Sequence, residues 1–333
     1  EPTVLSWTSA TGTNISCNGG SDGTITSQAT GGTGTINYTL QPTNQTNTTG
    51  SYSNLAANTY TITATDQNGC TTTTQVTISE PTPLSWTSAT ATNVSCNGGT
   101  DGTITSQATG GTGSINYTLQ PTNQTNTTGS YSNLAANTYT ITATDQNGCT
   151  TTTQVTITEP LPLQITNIAS TNPTCVPGND GSLTVSATGG TTNYQYSLNG
   201  GIQQASNTFS NLGSGVYTIQ VTDANGCTAT STQNISAPNA PSFTTATSTD
   251  VSCNGGNDGT ITVQTTGGTN PINYNLQPTN QTNLSGSFTN LAANTYTITA
   301  TDLNGCSVQT QLTIAEPTVL SWTSATGTNI SCN

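Results

Sequence analysis

Apolar residues alternate with Thr and Ser in short runs along this chain, and Gly, Asn and Pro break the runs apart. From Gly23 to Thr30 (GTITSQAT), Ile25 and Ala29 fall on one side; Ile36, Tyr38 and Leu40 are again two apart. Thr59 to Asp66 puts Tyr60, Ile62 and Ala64 on one face and Thr61, Thr63 and Thr65 on the other, and Thr71 to Ser79 pairs Val76 with Ile78. Leu5 and Trp7 share a face of a first strand, with Ile15 and Cys17 following. A period of two with β-branched Thr on the wet face is the pattern of half-buried antiparallel strands. Gly31-Gly32, Pro42-Thr43-Asn44 and Asp66-Gln67-Asn68-Gly69 read as turns. About seven short strands in ~79 residues predict a small two-sheet sandwich of immunoglobulin-like type.

The pattern recurs along the chain. The nine cysteines, at 17, 70, 96, 149, 175, 227, 253, 306 and 332, are spaced alternately 53 (once 52) and 26 residues apart. Glu-Pro marks the joints at Glu1, Glu80, Glu159 and Glu316, with Ala237-Pro238 as the variant. This rhythm predicts domains at 1–79, 80–158, 159–236 and 237–315, with 316–333 opening a further, truncated repeat. Residues 17–79 and 96–158 differ at three positions, and residues 316–333 repeat 1–18 without a change, so a four-domain block is itself expected to recur. Only Ser79-Glu80-Pro81-Thr82-Pro83 separates the first two domains, and Pro stiffens such a link. The expected architecture is all-β: a tandem array of immunoglobulin-like β-sandwiches, one disulfide each, forming an elongated rod.

Composition narrows the chemistry. The 333 residues include 13 acids and no Lys, Arg or His, giving a net charge of −13, and Thr is about a quarter of the chain. Without cations the chain cannot neutralise nucleic-acid phosphate or an anionic membrane surface. Without His there is no Ser-His-Asp or Cys-His nucleophile, and without Lys no Schiff base. No run approaches the ~18 apolar residues of a membrane span, so direct membrane insertion is not expected. The chain reads as non-catalytic and free of cofactors.

The candidate residues are cysteines and carboxylates. With one pair per copy, no C-x-x-C and no His, the pairs Cys17–Cys70, Cys96–Cys149, Cys175–Cys227 and Cys253–Cys306 are expected as disulfides within domains; buried free thiols are the alternative. Cys332 would find its partner beyond the chain end. Such staples suit small cores and an extracellular setting. Asp22, Asp101, Asp180 and Asp258 each precede Gly, and Asp66, Asp145, Asp223 and Asp302 open a D-x-N-G-C turn. They are weak calcium candidates, because two carboxylates per copy are few; capping of their own turns is the favoured reading. Trp7, Trp86, Ile165, Phe243 and Trp322 hold one equivalent position, where filling of the core or the joint is favoured over sugar stacking.

The third copy is the most telling. From Gly181 to Thr230 it reads GSLTVSATGGTTNYQYSLNGGIQQASNTFSNLGSGVYTIQVTDANGCTAT, following a C-x-x-G-x-D-G that starts at Cys175. With its A-T-G-G, Y-x-Y-S-L-x-G, F-S-N-L-x-x-G-x-Y-T and V-T-D-x-N-G-C segments, it resembles the SprB-type repeat of gliding-motility adhesins and related giant surface proteins. The other copies depart from this in carrying L-Q-P-T-N-Q-T in place of S-L-N-G-G. The resemblance implies an exported, cell-surface, immunoglobulin-like array and supplies no catalytic residues.

Two functions are open at this level. One is a structural shaft of an extracellular filament or giant surface adhesin, with copies of itself as partners. The other is a multivalent module that binds surface glycans in adhesion or gliding. The loop Gln41–Gly50 recurs unchanged at Gln120–Gly129, which fits a lattice or multivalent array better than a set of diversified binding loops.

Overall fold

A computed structural model describes residues 1–328, which fall into two compact units, Glu1–Leu161 and the described residues from Pro162 onward. In the first unit, the opening domain comprises β1 (Ser6–Thr13), β2 (Gly23–Thr30), β3 (Asn37–Gln41), β4 (Gln45–Asn47), β5 (Ser51–Leu55), β6 (Asn58–Thr65) and β7 (Thr71–Ile78). β1-β2-β5 form a three-stranded sheet and β4-β3-β6-β7 a four-stranded one, with all pairs antiparallel. The alternation in β6 does what the sequence predicts: Tyr60, Ile62 and Ala64 are buried while the intervening Thr residues lie nearer solvent. With Ile25, Leu40, Leu55 and Ile78 they make a core between the sheets. Trp7 sits beside a bulge in β1 and packs half-buried against this core, its ring 5.9 Å from that of Tyr38. The core-filling reading of Trp7 is therefore the correct one, and Trp86 repeats it against Tyr117.

The sequence pattern misses β4 and β5. Neither is long enough to show a period, and a side chain rather than a backbone signal shapes the turn between them. Asn47 accepts from the backbone N–H of Gly50 at 2.6 Å and of Thr49 at 3.0 Å, and its amide donates to the Ser51 carbonyl at 3.0 Å. The loop Gln41–Gly50 thus contains an edge strand.

The second domain repeats this plan from Ser85 to Ile157. In the second unit, the domain from Gln164 to Ile235 has six strands, because the short edge strand is absent where S-L-N-G-G replaces L-Q-P-T-N-Q-T. The last complete domain, Ser242 to Ile314, returns to seven. Beyond it, Leu320 and Trp322 are almost fully exposed, whereas Leu5 is buried and Trp7 half-buried at the equivalent positions. Among the described residues no helix is long and apolar enough to cross a membrane.

The joint between domains as candidate functional site

The polar and covalent chemistry of the chain gathers where one domain meets the next. β1 ends at Thr13, and Cys17 lies beyond it in a turn closed by Gly20 N–H donating to the Cys17 carbonyl at 2.9 Å. This C-N-G-G turn holds the exit of its own domain. Asn18 Nδ2 donates to the Pro81 carbonyl at 3.1 Å, and Gly19 N–H donates to Glu80 Oε2 at 2.8 Å. The same pair of bonds recurs at Asn97 and Gly98 with Pro160 and Glu159, and at Asn254 and Gly255 with Pro317 and Glu316. Glu-Pro is therefore a structural latch as well as a repeat marker, a role that the sequence pattern did not reveal. Where Ala237 replaces Glu, Val176 N–H donates to the Pro238 carbonyl at 3.1 Å instead.

The entry of each domain is held by its other turn. Asp145 accepts from Thr112 N–H at 2.7 Å and from Asn147 and Cys149 N–H at 2.9 Å each. Gly111 N–H donates to the carbonyl of Thr82 in the linker at 2.9 Å. Gly111 has φ +66°, and a Cβ there would lie 2.6 Å from Asp145 Oδ2, so this position requires glycine. The two turns meet across the joint, where Asn147 Nδ2 donates to the Ser16 carbonyl at 3.0 Å. The resulting cleft of ≈ 410 Å³ is lined by residues of both domains and the linker.

Cys17 is bonded to Cys149 there, with Cα atoms 5.6 Å apart and a sequence separation of 132. In the second unit Cys175 is bonded to Cys306, with Cα atoms 5.7 Å apart and a separation of 131. Cys96 and Cys227 are also disulfide-bonded. Cys70 and Cys253 are free and exposed, and Cys332 lies outside the described residues. These bonds correct the expected pairing. None of Cys17–Cys70, Cys96–Cys149, Cys175–Cys227 and Cys253–Cys306 forms, since Cys149 and Cys306 are taken by the first cysteine of the preceding domain. Geometry explains this. Cys17 sits beside the exit segment at Glu80-Pro81, whereas Cys70 lines a cleft with the entry residues Pro2 to Leu5. The two cysteines of one domain are thus at opposite ends, not at the same end. Within each unit, a disulfide across the joint takes the place of disulfides inside the domains.

The carboxylates are spent locally. Asp22 accepts from Ser16 through both the hydroxyl and the backbone N–H, Asp101 and Asp180 do the same with Ser95 and Thr174, and Asp258 accepts from the N–H of Ser252, whose hydroxyl donates to Cys253 Sγ. Asp66, Asp223 and Asp302 cap their own turns as Asp145 does. The calcium candidates are therefore turn caps, and the described residues contain no group of three or more potential metal ligands. Burial pushes the Tyr52 and Tyr131 hydroxyls up to about 12.

These caps set a pH dependence. The Ser16 hydroxyl, then its N–H, holds Asp22 below the ordinary carboxylate value, and the N–H of Thr33 leads the same effect at Asp66. At Asp145 burial pulls upward but the N–H groups of Thr112, Cys149 and Asn147 outweigh it. A carboxylate depressed in the folded state adds stability that is complete above its unfolded value and lost as pH falls through its folded value. Melting temperature is therefore expected to be flat down to about pH 5 and to fall steeply below about pH 4. A titration followed by calorimetry checks this; rising stability on acidification would refute the capping assignment.

The SprB repeat family model matches residues 9–45, 88–124, 167–202 and 245–280. No curated protein matches the chain. Among solved structures, a Ca2+-stabilized adhesin from an Antarctic bacterium that binds ice aligns over 93% of this chain and 99% of its own at 15% identity and TM-score 0.43. The titin I-band fragment I67–I69 covers 72% of this chain and 100% of its own at 15% identity and TM-score 0.36. Sidekick-1 immunoglobulin domains 1–5 cover 94% and 81% at 12% identity and TM-score 0.29. Each family match begins inside the first strand of a sandwich, runs through its C-x-x-G-x-D-G turn and stops three or four residues past the third strand. The chain carries four tandem segments that match the SprB repeat, one in each domain.

Proposed function

We propose that this array is a non-catalytic, load-bearing shaft of an extracellular filament or surface stalk, and that shafts associate with one another. The observation that carries the reading is the staple from each domain to the next within a unit, seen at Cys17–Cys149 and Cys175–Cys306. Neighbouring domains are thereby joined twice, through the linker and through sulfur. A binding module needs no second covalent tie to its neighbour; a shaft under tension gains from one.

Side-chain chemistry supports lateral contact. Exposed Thr rows such as Thr71, Thr73 and Thr77 on β7, and the edge strand β4, offer neutral hydrogen-bonding groups to a neighbouring shaft. Thirteen acids over 333 residues are sparse, and physiological salt screens exposed charges beyond about 8 Å. The test is electron microscopy of the oxidised chain at high concentration and of native extracts. Ordered filaments with an axial repeat of whole domains are expected. Isolated flexible strings in both preparations would overturn association.

A further inference from the structure

We infer that Asn199-Gly200, in the third domain, is a self-modification site, where the Gly200 backbone nitrogen displaces ammonia from the Asn199 side chain and leaves aspartate or isoaspartate. Asn-Gly suits this chemistry because glycine puts no Cβ in the path of the attacking nitrogen. The chain contains eight Asn-Gly pairs, and in seven of them the glycine N–H is committed elsewhere. In the C-N-G-G turns, the N–H groups of Gly19, Gly98 and Gly255 are held by the carboxylates of Glu80, Glu159 and Glu316. In the D-x-N-G-C turns, Gly69, Gly148, Gly226 and Gly305 each donate at 3.1 Å to the carbonyl of the Asp three residues earlier. A bonded N–H gives up its proton, and so becomes a nucleophile, only after that bond is broken.

The eighth pair is different. Asn199 and Gly200 form an exposed turn with φ +51° and +70° at the end of the strand Gln195–Leu198. Among the described residues Gly200 N–H has no acceptor, and neither has Asn199 Nδ2, the leaving group. Asn199 Oδ1 accepts from Thr218 N–H at 2.8 Å, which polarises the carbonyl and leaves a donor for the oxyanion formed on attack. A Cβ at Gly200 would meet nothing within 4 Å, so the turn has room to bring the Asn199 side chain onto the Gly200 nitrogen. The other three domains carry Q-P-T-N-Q-T in this region and have no Asn-Gly there.

The Gly200 nitrogen loses its proton to solvent and attacks Asn199 Cγ. The Cγ–Nδ2 bond then breaks, Nδ2 leaves as ammonia with a proton from water, and a succinimide ring remains. Water opens the ring at either carbonyl, giving aspartate or isoaspartate, and no oxidant or reductant takes part. Isoaspartate lengthens the backbone of a turn pinned by Asn199 N–H to the Thr218 carbonyl at 2.7 Å and Gly201 N–H to the Leu198 carbonyl at 2.9 Å, so this strand end loosens. Either product adds a carboxylate to a chain with no Lys, Arg or His to pair it. The third domain thus carries a slow, irreversible mark of age.

The test incubates the full oxidised chain in mildly alkaline buffer and follows every Asn-Gly pair by peptide mapping. Cleavage before Asp and Glu gives Asp180–Thr222, whose one Asn-Gly pair is Asn199-Gly200. In the folded chain Asn199 is expected to react roughly tenfold faster than the other seven, and in the reduced, denatured chain all eight should converge. Another pair matching Asn199 in the folded chain, or a lead for Asn199 that survives denaturation, would overturn the inference. Glu80→Ala releases the Gly19 N–H and should speed Asn18 several-fold, while Asn97, still held through Glu159, stays unchanged. An unchanged Asn18 would overturn the role given to the bonded N–H, with an intact Cys17–Cys149 bond in the same map showing that the variant has folded.

Discussion

Pulled from its two ends, the oxidised chain should yield almost no extension from residues 18–148. The Cys17–Cys149 bond fixes the two Cα atoms at 5.6 Å, so the whole segment between them is shunted whatever happens to its hydrogen bonds. Reduction should release that segment, adding about 450 Å of contour for 132 residues at ~3.4 Å each. Cys175–Cys306 should release a similar length in the second unit. Had each domain closed on itself, each staple would have hidden an interval of only 52 or 53 residues, such as Cys17 to Cys70, and each release step would be less than half as long. Force spectroscopy with and without reductant separates the two. The physical reason that the staple suits a shaft is visible here: load passes from domain to domain through sulfur, and the sandwiches between are spared.

The second large effect is on melting. Closing a loop of this length removes conformational entropy from the unfolded chain worth up to about 5 kcal/mol. Cys17→Ser should therefore lower the melting temperature of the first unit by roughly 10–20 °C for a body of its size. The cycle is more informative than the single change. Cys149→Ser should have the same effect as Cys17→Ser, and the double variant no more than either, because both remove one bond. Cys70→Ser should be nearly neutral, as its thiol is free and exposed. If Cys17→Ser and Cys70→Ser behaved as the coupled pair instead, the staple between domains would be wrong.

The strands were legible in sequence where they were long enough to show a period. Tyr60, Ile62 and Ala64, or Val76 and Ile78, announce their buried face because every second residue is apolar. Gln45–Asn47 and Ser51–Leu55 did not, since three to five residues carry too little pattern and Asn47 organises the turn by side-chain hydrogen bonds. The disulfides failed for a different reason. In a near-exact repeat, Cys70 and Cys149 are the same residue in two copies, so cysteine spacing is known only to within one repeat. The true separation of 132 exceeds 53 by one 79-residue repeat, and nothing in the spacing prefers the shorter loop. Only the placement of the two turns at opposite ends of the sandwich decides it. Glu80 was legible as a marker but not as a latch, because its partner Gly19 N–H lies 61 residues away.

The most direct test is the identity of the Cys17 partner in non-reduced protein. The chain has no Lys or Arg, so trypsin has no site, but cleavage on the N-terminal side of Asp and Glu gives Asp66–Ser79 around Cys70 and Asp145–Thr158 around Cys149. These peptides differ only by Ser79 against Thr158, one methylene in mass. Mass spectrometry of the oxidised digest should find the Cys17 peptide joined to the heavier one, carrying Thr158. Finding it joined to the lighter one, carrying Ser79, would return the disulfide to the interior of a single domain and contradict the account.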